Sequence, residues 1–179
     1  MSETNQPAMD MGLDQIGVVT QDLQGMVRMF KQLFGIGPFR VTEWPIEGVD
    51  PKATYHGAPG NYRLLLAFGS VGPTQIEIVQ PLEGPNIYSD FLKSHGPGLH
   101  HLRLTVSDFD AKIKALEAAG IEKIASGTGV HRGSEWAYFD TTKQLDGLIV
   151  ELRKRLDGPG GEGQWVASQD EAGEKATDE

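Results

Sequence analysis

Two glutamates sit inside apolar runs: Glu77 between Ile76 and Ile78 in TQIEIVQ, and Glu151 between Val150 and Leu152 in LIVELRK. Burying an ionised carboxylate without a partner costs on the order of several kcal/mol. Such a strand must turn the carboxylate to solvent or supply a cation. A third group is the histidine pair His100–His101 in GPGLHHLRLTVSDFD, residues 96–110. A fourth, Gln15, is a plain surface polar residue by itself. Two carboxylates, one imidazole and one amide oxygen make a donor set for a single divalent cation. The two negative charges cancel +2, and mixed N/O donors suit borderline or hard metals. Four protein ligands would leave about two octahedral positions for water or substrate oxygens.

The four fall into register when the chain is slid along itself by 86 residues. LDQIGVVTQDL (13–23) then lies over LHHLRLTVSDF (99–109), matching Leu13 with Leu99, Gln15 with His101 and Asp22 with Asp108. Each copy alternates like a strand and leads into a capped helix. In the first helix Leu23, Met26, Val27, Phe30, Leu33 and Phe34 recur at helical spacing and Gly35 ends it. Phe109, Ile113 and Leu116 mark the second, which Gly120 ends. Both stripes read as faces packed on a sheet. Strand-like runs follow at 62–69 and 74–82, then at 135–140 and 148–154, with a third strand per half expected at 40–44 and 122–126.

The fold class expected is α+β, with paired strand–helix–strand–strand–strand modules over 12–84 and 98–156 and internal two-fold pseudosymmetry. A short helix at 85–97 joins them. Residues 1–11 and the acidic 157–179 read as disordered, with Trp165 the one residue suited to local docking.

Charge and composition exclude several functions. The formal net charge is −9, but the last 23 residues hold seven acids and one lysine, and the first eleven hold two acids and no base. The body is close to neutral and has no basic field for nucleic acid. There is no cysteine, so disulfide and thiolate chemistry are out. No apolar run is long enough for a membrane span, and the N-terminus lacks a signal-peptide pattern, so a cytoplasmic protein is expected. GxSxG, P-loop, GxGxxG and CxxC motifs are absent.

With these residues in place, 13–155 resembles the vicinal oxygen chelate superfamily, which includes glyoxalase I, methylmalonyl-CoA epimerase, extradiol dioxygenases and antibiotic-resistance proteins. The resemblance is to the epimerase-like branch, through PTQIEIVQPLEGPNIYSDFLKSHGPGLHHLRLTVSDFD and the closing YFDTTKQLDGLIVEL. It implies paired βαβββ modules around a metal cleft, with ligands Gln15, Glu77, His101 and Glu151. His101, the residue opposite Gln15 in the repeat, is the ligand; strand alternation puts His100 on the other face. The epimerases usually carry His at position 15 and Gln at position 77, so this set resembles that of glyoxalase I.

A second departure concerns the acid/base pair. The position of the epimerases' first-module glutamate falls on Leu64, or on Arg63 with a one-residue shift, and 61–69 holds no carboxylate. Glu151 is left as the expected single base. The implied activity is metal-dependent isomerase, epimerase or lyase chemistry beside a metal-polarised carbonyl of a small molecule or acyl-CoA. Alternatives are glyoxalase I-type activity and a non-catalytic binding protein. The ion is one of Zn, Co, Ni, Mn, Mg or Fe(II), and the family implies a homodimer. Substrate-binding candidates are His56 in the insertion 45–60, Arg63, His131 and Arg132 in a glycine-rich loop, Trp44 and Tyr138. Each also has a bland reading as exposed loop or core.

Overall fold

The computed structural model describes residues 11–156. The stretches read as disordered lie outside these residues, save Met11, which opens the first strand. The elements are β1 (Met11–Val19), α1 (Leu23–Phe34), β2 (Arg40–Trp44), β3 (Thr54–Tyr55), β4 (Ala58–Pro59), β5 (Arg63–Val71), β6 (Thr74–Glu83), α2 (Ile87–His95), β7 (Gly98–Val106), α3 (Phe109–Ala118), β8 (Lys123–Thr128), β9 (Glu135–Phe139) and β10 (Ile149–Lys154). The expected third strands appear as β2 and β8. All strands join one curled sheet in the order β2-β5-β6-β1-β7-β10-β9-β8-β3-β4. Each half is thus a four-stranded unit, and the halves meet where β1 pairs antiparallel with β7.

Local chemistry sets the helix starts. Asp22 accepts from the Gly25 amide at 2.8 Å and Asp108 from the Ala111 amide at 3.0 Å, the N-cap bonds expected of both aspartates. Gly35 takes the left-handed conformation that closes α1. Leu23, Met26, Val27 and Phe30 pack with Ala67 and Ile78, whereas Val106, Phe109, Leu116 and Leu152 share a second cluster. The first stripe is shorter than its spacing implied. Leu33 and Phe34 are 64% and 68% exposed, because the packed face of α1 stops a turn earlier.

The third and largest cluster fills the inside of the curl, with Trp44, Leu64, Leu66, Phe68, Val79, Tyr88 and Tyr138 among its members. The insertion after β2 draws the far edges of the sheet together. Its β3 pairs with β8, and the Pro51 carbonyl accepts from the Thr128 amide. Trp44 and Trp136 both donate their indole N–H to the Thr128 carbonyl, at 2.8 and 3.0 Å. The Tyr55 hydroxyl donates to Asp90 on α2 at 2.6 Å. The insertion 45–60 is thus a strap that closes the curl.

The β1–β7 ladder carries two bulges. One extra residue, Asp14, interrupts β1 between Leu13 and Gln15, and one extra residue, His100, interrupts β7 opposite the Gly17–Val18 step. These positions are 86 residues apart, so the bulges occupy equivalent places in the repeat. Bulges re-aim side chains and are common beside functional sites.

Candidate metal centre and cleft

The central strands bring the four expected ligands together. Gln15, Glu77, His101 and Glu151 are 1%, 8%, 0% and 5% exposed. Ligand atoms of Glu77, His101 and Glu151 all lie within 4.8 Å of one another. His101 Nε2 stands 3.3 Å from Glu77 Oε2, 3.2 Å from Glu151 Oε2 and 3.3 Å from Gln15 Oε1. Gly17 makes this possible. It faces His101 across the ladder, and a Cβ built on it would fall 1.8 Å from His101 Cε1. The imidazole occupies the space a side chain at position 17 would need.

Strand alternation fails at His100, and the bulge is the reason. Left out of the ladder, His100 turns toward the same interior as its neighbour, with its Nδ1 3.1 Å from His101 Nδ1. It is 2% exposed and packs on Tyr88 and Phe91 of α2. The matching bulge turns Asp14 inward, where it accepts from Arg103 Nε at 2.9 Å and from the Thr105 hydroxyl at 2.6 Å. Sequence reasoning missed Asp14, Arg103 and His100. The match of Asp14 with His100 in the repeat was visible, but no local pattern announces a bulge.

The electrostatics follow from crowding two carboxylates in a buried space. Burial opposes a charge on His101, but hydrogen bonds and charge from Glu151 and Glu77 outweigh it and push the pKa up to about 9. Burial, with the charge of His101, holds His100 well below the usual imidazole range, so it is neutral. Burial raises Tyr138 well above its usual value, so the phenol stays protonated and donates to Glu151 Oε2 at 3.0 Å. Burial and then the charges of Arg153, Arg103 and Arg40 bring His131 down to about 4.

Two more oxygens face the His101 Nε2 edge. Glu77 Oε2 is buried and, among the described residues, has no hydrogen-bond partner apart from its 3.3 Å contact with His101 Nε2. Gln15 Oε1 stands 3.3 Å from His101 Nε2, while its amide nitrogen donates to Gln75 Oε1 at 2.7 Å. Turned over, the amide would donate to Glu151 Oε2 at 3.2 Å and accept from Arg103 at 2.7 Å. One orientation offers a ligand oxygen to the centre; the other suits an empty one. The buried set of Glu77, His101 and Glu151 can therefore coordinate one divalent metal ion, and Gln15 is placed to add a fourth oxygen.

A cleft with about 530 Å³ of empty space, its mouth included, opens beside this centre. Trp44, Tyr138 and His131 line it, with Leu64 and Phe68 on β5 and the buried Arg103 and Arg153. The remaining candidates lie elsewhere. Arg63 points outward from β5, next to the inward Leu64, and pairs with Glu43 at 2.6 Å and Glu83 at 3.5 Å. His56 sits on the strap hairpin, 47% exposed at its side chain, 3.0 Å from Glu122. Arg132 is exposed at the turn beyond His131. No described helix is long and apolar enough to cross a membrane.

The curled sheet of paired modules around a carboxylate–imidazole centre defines a class. Residues 14–139 match the model of the Glyoxalase/Bleomycin resistance protein/Dioxygenase superfamily, and the chain belongs to that superfamily. Within it, the chain is similar to the mitochondrial methylmalonyl-CoA epimerase of Dictyostelium discoideum, at 26% identity over 144 residues, covering 80% of this chain and 78% of that protein. Among solved structures, methylmalonyl-CoA epimerase from Mycobacterium tuberculosis aligns with TM-score 0.61 and 21% identity, covering 82% of this chain and 89% of that one. A Streptomyces coelicolor methylmalonyl-CoA epimerase variant in complex with 2-nitronate-propionyl-CoA aligns with TM-score 0.61 and 18% identity, covering 83% and 98%.

Proposed function

We propose that this chain is a metal-dependent isomerase, epimerase or lyase that removes a proton beside a carbonyl group of a small molecule or acyl-CoA. The observation that carries the reading is the buried Glu77–His101–Glu151 cluster opening on a cleft. Gln15, Glu77, His101 and Glu151 would hold the ion. A divalent cation there supplies electrophilic pull on a substrate carbonyl, acidifying the adjacent C–H. Glu151 is the assigned base, with the Tyr138 phenol orienting its Oε2. Trp44 and Phe68 exclude water from the reacting end. Arg103 and Arg153 favour a substrate that carries an acid group near its carbonyl.

The glyoxalase I-type alternative has one observation in its favour: the ligand set holds two glutamates, one from each module. The Dictyostelium relative favours an acyl-CoA substrate. Self-association as a homodimer belongs to this reading, and exposed Leu13, Leu99, Leu33 and Phe34 supply apolar surface for it.

The test has two parts. Elemental mass spectrometry on protein purified without chelator should find near one equivalent of a divalent metal, lost in a Glu77→Ala/Glu151→Ala variant. Metal-loaded protein in D2O should then exchange the α-proton of methylmalonyl-CoA or of a simple 2-substituted keto acid, and Glu151→Gln should not. Protein that refuses every added divalent ion would make the chain a binding module.

A further inference from the structure

His101 has two nitrogens and the centre can use only one. Its Nε2 faces Glu77, Glu151 and Gln15; its Nδ1 faces His100 Nδ1 at 3.1 Å. Two facing Nδ1 atoms can share only one proton. A lone pair on His101 Nε2 free for a metal requires the proton of His101 to sit on Nδ1, which makes His100 Nδ1 the acceptor. We propose that His100 is the positioning residue of this centre, accepting the Nδ1–H of His101 and thereby fixing which nitrogen faces the carboxylates.

The surroundings of His100 support this assignment. With Nδ1 as acceptor, the His100 proton must reside on Nε2, a buried nitrogen with no hydrogen-bond partner among the described residues. The ring lies in an aromatic box, 5.0 Å from Tyr88, 5.0 Å from Phe91 at an interplanar angle of 86°, and 6.1 Å from Tyr138. An N–H among aromatic rings can keep a weak interaction with them. The bulge is the structural cause, because only a residue left out of the ladder can turn to the same side as His101. Metal-binding histidines commonly anchor their second nitrogen on a carboxylate or backbone carbonyl, and losing such a partner weakens metal affinity by about 10–100-fold. Here a second imidazole takes that place.

The proposal rests on the metal reading above, and its test separates the two. Long-range 1H–15N spectra of 15N-histidine-labelled, metal-free wild type should show His100 protonated on Nε2 and bare at Nδ1. A proton on His100 Nδ1 overturns the assignment whatever the metal does. Metal affinity, read by competition with a chromophoric chelator, should fall about 10–100-fold in His100→Phe, which fills the aromatic box without an acceptor. His100→Asn, which returns an acceptor oxygen near the δ position, should stay within about threefold of wild type. Equal affinity in His100→Phe and wild type overturns the proposal, as does an Asn variant as weak as the Phe variant with metal-free melting temperatures unchanged. If His100→Phe fails to fold, the wild-type spectrum and His100→Asn still decide. A wild type that takes up no cation overturns the metal reading, and the spectrum still decides the hydrogen bond.

Discussion

Gly17→Ala should weaken metal binding severely without replacing a ligand. The added methyl would stand 1.8 Å from His101 Cε1, 2.2 Å from Nδ1 and 2.3 Å from Nε2. Carbon atoms do not approach closer than about 3.0 Å, so the imidazole must retreat by more than an ångström. It has nowhere to go, being fully buried with the Tyr138 ring 5.0 Å away at 89°. Metal sites tolerate ligand displacements of about 0.2 Å, so affinity should fall by more than the roughly 100-fold that loss of an outer partner causes. Overpacking of this kind should also cost about 1–3 kcal/mol of stability. Gly12→Ala is the control, since the same strand has open space there. Isothermal titration with Zn²⁺ or Co²⁺, beside urea melts of metal-free protein, measures both effects. Wild-type metal affinity in Gly17→Ala would refute the placement of His101.

The raised pKa of His101 gives two pH dependences. A cation must displace the proton that His101 holds below pH of about 9, so affinity should fall about tenfold per pH unit below that value, measured by titration between pH 6 and 8. In metal-free protein the same group stabilises the fold fully below its unfolded pKa of about 6.5, and that contribution is lost as pH rises through about 9. Thermal melts should fall over that window in wild type and not in His101→Gln. Tyr138→Phe removes a donor from a buried carboxylate and should cost about 1.5–3 kcal/mol in urea melts. Arg63→Ala should leave metal affinity and proton exchange unchanged, because Arg63 lies on the outer face of β5.

The repeat made the site legible. Sliding the sequence placed Gln15 opposite His101, and two charged residues in apolar strands marked Glu77 and Glu151. These are signals of pattern, and the sheet obeys them wherever alternation is regular. Leu64 inward and Arg63 outward follow from the same rule. It fails where the ladder skips a residue, and HHL looks the same in sequence with or without a bulge. Arg103 was hidden for a related reason. An arginine in an alternating strand reads as solvent-facing until a partner is known, and its partner Asp14 is itself a bulge residue. The packed length of α1 depends on how far the sheet extends beneath it, and the spacing of Leu33 and Phe34 carries no record of that.

The cleft wall limits how a proton can move. Three carboxylates line it: Glu77, Glu151 and Glu135. Glu135 is held by Lys154 at 2.6 Å, and the β5 wall offers Leu64, Leu66 and Phe68, which have no acid to give. On the proposed reading, the base is one of the two carboxylates that would also hold the ion. Tyr138 donates to Glu151 Oε2 at 3.0 Å, whereas Glu77 Oε2 has only the 3.3 Å contact with His101 Nε2 among the described residues, which favours Glu151 as the base. A single base returns protons to the face from which it took them. In a proton shift between neighbouring carbons, turnover in D2O should then yield product with less than one deuterium, because part of the abstracted proton comes back, whereas inversion at a single carbon needs a second acid on the opposite face. Paired action of Glu77 and Glu151 from opposite sides would instead place a full deuterium in product and none in recovered substrate. That isotope pattern, read by mass spectrometry at low conversion, decides between one carboxylate and two.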